Sequence, residues 1–214
     1  MLTQDEYQAF LLAVAAVRDK AVGHLQTLSS PGAAIGFVTN LHRSVDKVVD
    51  QAVANGVHSE CRVGCTYCCS ARVEACVPQV LLIARAVKRL PTEAQEAVAE
   101  RLRRYAQEVE EAGAAPVPCA FLVERQCSIY PMRPASCRRA HSLSKSDCAN
   151  LAPSIPQDLD LIQGAEALMR GTAEAYAAIG LDADTVNLCQ GVLLALSDAQ
   201  AEARWARGGR LFEA

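Results

Sequence analysis

Four cysteines lie within nine positions of this chain, in the run CRVGCTYCCS that begins at Cys61. Four thiols this close would repel one another as thiolates and would oxidise readily unless a cation held them. Cys65 and Cys68 have the two-residue spacing that lets two thiolates face one tetrahedral ion or one corner of a cluster. Cys69 directly follows Cys68, so these two side chains can serve two metals or two sides of one cluster. The run therefore predicts a metal-binding loop.

A second cysteine-rich stretch, residues 114–156, holds four more cysteines and six of the nine prolines. Neither stretch has the apolar periodicity that folding by burial requires, so we expect coordinated metal to order both. The eight predicted ligands, enough for two four-coordinate sites, are Cys61, Cys65, Cys68, Cys69, Cys119, Cys127, Cys137 and Cys148. Cys76 and Cys189 lie in or beside apolar stretches, and we predict that they are small buried hydrophobes of the core.

The second stretch is also cationic. Between positions 125 and 146 there is no Asp or Glu, and the five cations are Arg125, Arg133, Arg138, Arg139 and Lys145. Such a loop depresses thiol pKa values and offsets the charge of a thiolate centre, although an ordinary solvated basic loop has the same composition. Arg133 and Arg138 are predicted to bind the cofactor by donating to cluster sulfurs or to neighbouring carbonyls. His141 could replace one thiolate.

A nucleic-acid partner is not favoured. Tyr130 is the one aromatic residue that interleaves with these charges, and the net charge of the chain is −3. The longest apolar run, Ala9 to Val17, is far shorter than the ~20 residues of a membrane helix. Asp5 and Glu6 precede it without any Lys or Arg, the reverse of a signal peptide. We therefore expect a cytoplasmic protein without a membrane partner, in which a set of ten cysteines indicates metal ligands rather than disulfides.

The rest of the chain predicts helices. Hydrophobic residues make up 51%, with Ala, Leu and Val prominent, while aromatics are only 5%. Apolar stripes predict a helix from Tyr7 that stops before Pro31 and a second helix that ends at Asn55-Gly56. Pro78 is placed to open a third helix, and Thr92 begins a capping box for a helix that Gly113 stops. Two further helices follow, from Leu159 to Gly180 and from Val186 to Leu196.

The predicted fold is mainly α. It is a helical bundle scaffold with two irregular cysteine-rich loops, and with a short hairpin around Phe121 to Ile129, that together form one metal lobe. We predict a single domain over residues 1–214. The scaffold takes residues 1–58 and 157–214, and the metal lobe, with a helical pair, takes residues 59–156.

The order of the cysteines resembles the YkgJ-type cysteine cluster family. The matching elements are Cys61-x-x-x-Cys65-x-x-Cys68-Cys69, Pro118-Cys119-Ala120-Phe121-Leu122, Cys127-Ser128-Ile129-Tyr130, Arg133-Pro134-x-x-Cys137-Arg138 and Cys148. The resemblance covers roughly Cys61 to Cys148 and implies a zinc- or iron-chelating domain. It favours an iron–sulfur cluster, [4Fe–4S] first, with zinc as the alternative, and it assigns no reaction and no protein partner.

Two functions stay open at this point. One is a metal-binding or redox module. The other is a metal-dependent enzyme with an open coordination position, whose basic loop binds an anionic substrate or cofactor. A related cysteine motif occurs in flagellin lysine methylases, and Cys61-x-x-x-Cys65-x-Tyr67-Cys68 is also similar to the radical S-adenosylmethionine pattern. That second family resembles a partial α/β barrel, and Cys69 is foreign to its pattern.

Overall fold

Helices dominate the computed structural model, which describes residues 3–62 and 64–211. The α-helices within these ranges are α1 Gln4–Leu25, α2 Pro31–Ala54, α3 Val77–Val87, α4 Thr92–Ala112, α5 Ala135–Arg139, α6 Lys145–Ala149, α7 Leu159–Ala178, α8 Leu188–Ser197 and α9 Ala201–Ala206. The strands are β1 Glu74–Cys76, β2 Leu122–Val123, β3 Gln126–Cys127 and β4 Thr185–Asn187. The predicted mainly helical class is confirmed. None of the helices in the described ranges has both the length and the apolar character needed to cross a bilayer.

Local signals set most helix ends. Ser30 caps α2 by accepting the N–H of Ala33 (3.2 Å), and Pro31 occupies the first helical position, where its missing N–H costs nothing. The same helix ends at Asn55, and Gly56 follows with a φ of +94°, a left-handed conformation that glycine adopts without strain. Pro78 lies in the first turn of α3, as predicted.

The predicted capping box at Thr92 is wrong. The N-cap of α4 is Pro91, so Thr92 is already helical and no side chain caps the first turn. A residue inside the first turn cannot bend back to that turn's amides as a cap does. Gln95 instead turns its side chain outward, and its Nε2 donates to the carbonyls of Leu90 (2.8 Å) and Lys88 (3.2 Å).

The C-terminal helices hold the bundle together. Helix α7 packs along α1 and also against α2, while α8 packs against both α3 and α4. Helix α7 thus bridges the consecutive helices α1 and α2, and α8 bridges the consecutive helices α3 and α4. One large apolar cluster includes buried side chains from most of these helices, among them Val80, Leu102, Phe121, Tyr176 and Trp205.

Two small antiparallel sheets connect the loops to the helices. Strand β1 pairs with β4, with Glu74 opposite Asn187 and Cys76 opposite Thr185. Strands β2 and β3 form the predicted short hairpin, in which Leu122 lies opposite Cys127. The first sheet therefore links the chain just after the first cysteine run to the start of α8, more than a hundred residues later.

Candidate metal centre

Three separate segments bring cysteines to one place. They are the 3-10 turn Tyr67–Ser70, the loop and hairpin over residues 117–129, and helix α5. The N–H of Cys119 donates to the carbonyl of Cys69 at 2.8 Å, which ties the first two segments together. The side chain of Gln79 accepts the N–H of Ala135 at 2.6 Å and so fixes the start of α5, which carries Cys137.

Five of the eight predicted ligands lie near enough to one another on these segments to shift one another's pKa values, and we call this group the thiol cluster. Its members are Cys68, Cys69, Cys119, Cys127 and Cys137. The side chain of Cys69 raises the pKa of Cys68, and the side chain of Cys68 lowers the pKa of Cys69.

The thiol cluster resists carrying several negative charges at once. Burial first, and then the nearby Cys119, Cys68 and Cys127, raise the pKa of Cys137 to about 12. Burial is also the main reason why the pKa of Cys127 lies above that of a free thiol. A cation placed among these sulfurs would remove both penalties, because it favours the thiolate form.

Cys119 lies beside a sulfur that the sequence did not point to. Its Sγ is 3.8 Å from the Sγ of Cys189, and hydrogen bonding from the Cys189 thiol lowers the pKa of Cys119 to about 7. Cys189 and Cys76 are both buried, as predicted. One signal in the sequence could have singled out Cys189: Asn187, a good N-cap residue, stands two positions before it and places it at a helix N-terminus.

The other three predicted ligands lie in the same two cysteine-rich stretches. Cys61 is exposed, and Cys65 and Cys148 are half-buried. Helix α6, which carries Cys148, packs against the 3-10 turn Tyr67–Ser70, and the N–H of Glu60 donates to the carbonyl of Ser142 (2.9 Å). The two cysteine-rich loops are therefore docked against each other.

Arg138 is turned toward protein groups. Its guanidinium pairs with Asp46 of α2 (2.7 Å), and it donates to the carbonyls of Arg133 (2.9 Å) and Pro131. The side chain is only 10% exposed. Arg138 therefore connects α5 and the turn before it to α2. Of the two roles predicted for it, donation to sulfurs or to neighbouring carbonyls, this structure shows donation to carbonyls.

Arg133 faces the sulfurs. Its charge acts on Cys68, Cys127 and Cys137, where it favours the thiolate against the larger effect of burial. The guanidinium lies 4.2 Å from the centre of the Tyr130 ring, which helps to hold it in place. Its Nε is buried and has no hydrogen-bond partner among the described residues. Arg133 thus has a donor free for a sulfur or for a bound group.

His141 has a structural place instead. Its Nδ1 lies 3.0 Å from the carbonyl of Arg139, and its Nε2 accepts the N–H of Asp158 at 2.8 Å. Because both ring nitrogens bond to the backbone, neither is free to bind a metal in this arrangement. The histidine joins the second cysteine-rich loop to the start of α7.

The donor set suits zinc or an iron–sulfur cluster, since both take cysteine thiolates. Among the described residues, however, no three Cys, His, Asp or Glu side chains stand in a ready-made position to hold one ion. The thiol cluster is therefore a gathering of donors that a metal would have to draw closer together. Coupling of metal binding to local folding is common in such sites.

A comparison with known families matches residues 60–160. The family model is CxxCxxCC, described as "Putative zinc- or iron-chelating domain". The match agrees with the cysteine cluster family that the sequence resembled, and it contains all eight predicted ligands but not Cys189. Neither the curated proteins nor the solved structures gave a match.

Proposed function

We propose that this protein holds a thiolate-ligated metal centre and acts as a redox or metal-dependent module. The proposal starts from residues 60–160, which match the CxxCxxCC family model of zinc- or iron-chelating domains. The favoured occupant is a [4Fe–4S] cluster, and zinc is the alternative. What supports the proposal is that three cysteine-bearing segments far apart in sequence are tied to one another and to the core, by the bond from the N–H of Cys119 to the carbonyl of Cys69 (2.8 Å) and by that from Ala135 to Gln79 (2.6 Å). A folded core has no need of such a gathering.

The ligands would come from the thiol cluster first, and Cys61, Cys65 and Cys148 would complete the set of eight. Cys68 and Cys69 both belong to the thiol cluster. Because side chains of consecutive residues point in different directions, this pair favours a centre with more than one metal atom. A bound cluster would supply one-electron transfer. The protein's own residues would limit access of water and balance charge, with Arg133 as a cation whose charge acts on Cys68, Cys127 and Cys137.

A reducing compartment such as the cytoplasm fits this function, because all ten cysteines are free thiols in the structure. The radical S-adenosylmethionine alternative gains no support from the fold. The described part of the chain has two antiparallel two-stranded sheets, whereas a radical S-adenosylmethionine enzyme is expected to have parallel strands that alternate with helices.

Anaerobic purification followed by metal and acid-labile sulfide analysis tests the proposal. For an iron–sulfur cluster we expect iron, sulfide and broad visible absorption. For a zinc site we expect stoichiometric zinc without sulfide and without visible absorption. Cys137→Ala should lose at least half of the metal, because it removes a central donor. Cys76→Ala is the matched control and should retain it. Wild-type protein that contains no stoichiometric metal, whether it is supplied with iron or with zinc, would overturn the proposal.

A further inference from the structure

Cys189 lies at the metal end of the molecule although it is outside the matched family segment. Its sulfur is 3.8 Å from that of Cys119, and the residue is only 2% exposed. Two sulfurs bound to one tetrahedral metal at about 2.3 Å each lie about 3.8 Å apart. The pair already has the spacing of two ligands on one metal atom.

The fold holds Cys189 at this point through backbone pairing. Strand β4 pairs with β1, and the N–H of Leu188 continues the pairing by donating to the carbonyl of Val73 (2.9 Å). Asn187 then caps α8 by accepting the N–H of Cys189 (3.1 Å). Gly191 allows α8 to approach α3, because a Cβ at this position would lie only 3.1 Å from Val80.

The sulfur of Cys189 has another sulfur as its partner, that of Cys119. Cys76, the other buried cysteine, has a different partner, since its sulfur accepts from the side-chain amide of Gln79 at 3.2 Å.

We infer that Cys189 is a ninth thiolate ligand and binds the same metal atom as Cys119, which is an arrangement of the zinc alternative, because each iron of a [4Fe–4S] cluster binds only one cysteine. The inference rests on the proposed metal centre and adds a ligand from the C-terminal helices to it. On binding, the metal replaces the Cys189 thiol proton, which is released to solvent, and the redox state of sulfur does not change. Helix α8 would then be bonded to the metal and not only packed beside it.

Metal release from Cys189→Ser and Cys76→Ser tests the inference, with a colorimetric chelator added to protein purified anaerobically in full length. We expect at least about tenfold faster release from Cys189→Ser than from wild type, and an unchanged rate for Cys76→Ser. Equal rates for Cys189→Ser and wild type would overturn this inference and leave the metal centre standing. Wild-type protein that contains no metal would overturn both.

A second measurement uses wild-type protein, in case Cys189→Ser fails to fold. Native alkylation followed by mass spectrometry should show Cys119 and Cys189 becoming reactive together, at least about tenfold faster after chelation, while Cys76 stays protected. Cys189 that remains as unreactive as Cys76 after chelation would contradict the inference. A Cys119–Cys189 disulfide in the metal-loaded protein would also contradict it, because a disulfide sulfur is not a thiolate ligand.

Discussion

Gln79 shows how one buried side chain can position a ligand that it does not touch. Its Oε1 accepts from the ring Nε2 of His42 (3.1 Å) and from the N–H of Ala135 (2.6 Å), and its Nε2 donates to Cys76. The amide thereby joins α2, α3 and α5 in the interior. Because Cys137 lies two residues after Ala135, the position of this predicted ligand depends on the hydrogen bond between Gln79 and Ala135.

The stability of the protein should fall in mild acid because of His42. Burial lowers its pKa to about 4, whereas a free histidine titrates near pH 6.5. The unfolded chain therefore takes up a proton first, so this contribution is complete above about pH 6.5 and is lost as the pH falls toward 4. For metal-free protein, denaturant unfolding should show a loss between pH 7 and pH 4.5 that is roughly 2–3 kcal/mol larger than in His42→Gln. Equal losses in the two proteins would contradict the prediction.

Arg133 should tune the metal centre without being one of its ligands. Removing its charge by Arg133→Gln should lower the reduction potential of a cluster, because the reduced state carries more negative charge, or should speed zinc loss in mild acid. Electrochemical titration or chelator competition measures these effects. Arg125→Gln is the matched control, since this exposed arginine lies in the hairpin turn of the same basic stretch. Identical shifts in the two variants would show that the effect is one of overall charge.

At the scale of elements, a close contact between α1 and α7 depends on a missing side chain. A Cβ at position 171 would lie 2.6 Å from the carbonyl oxygen of Val14 and 2.7 Å from the Cβ of Val17. Real Cβ atoms do not approach other atoms this closely, so the two helices can touch here only because residue 171 is glycine.

Gly171→Ala should therefore destabilise the fold by about 1–3 kcal/mol, because one helix backbone must move away from the other. Gly23→Ala is the control in α1, where a Cβ meets nothing within 4 Å. That exchange should stabilise the protein by about 0.5–1 kcal/mol through the better helix propensity of alanine. Thermal unfolding of the two variants compares them directly, and a stable Gly171→Ala would show that the helices can separate without cost.

At the scale of the whole molecule, the core and the cysteine-rich loops rest on different forces. The large apolar cluster runs from α1 to Leu211 and includes Phe121 and Ile129 from the second loop. Both loops nevertheless expose much of their length between these anchors. The helices should keep their packing without metal, while the loops should not keep their order.

Chelation should therefore loosen residues 61–69 and 114–150 far more than the helices α1 and α7. Hydrogen exchange with and without metal measures this, and the α1–α7 pair serves as the internal control within the same molecule. We expect at least about tenfold faster exchange in the two loops, because bonds to a shared centre replace the burial that they lack. Exchange that stays unchanged on metal removal would contradict the coupling of metal to loop order.

Local rules explain what the sequence by itself determined. Helix ends at Pro31, at Asn55-Gly56 and at Gly113 depend on the backbone preferences of a few neighbouring residues, and the structure bears them out. The match of residues 60–160 to the family model follows equally from the spacing of cysteines along the chain. Even there a shift of one residue at Pro91 was enough to make the capping box at Thr92 wrong.

Only the tertiary structure decided which thiols meet. Cys189 approaches Cys119 across 70 residues because β1 pairs with β4 and α8 packs between α3 and α4. Arg133 and Arg138 look alike in the sequence, yet one faces the sulfurs and the other faces Asp46. Which side chains meet depends on how distant helices pack together, because packing must pair buried polar groups over the whole molecule. The residue spacing within any one segment does not contain this information.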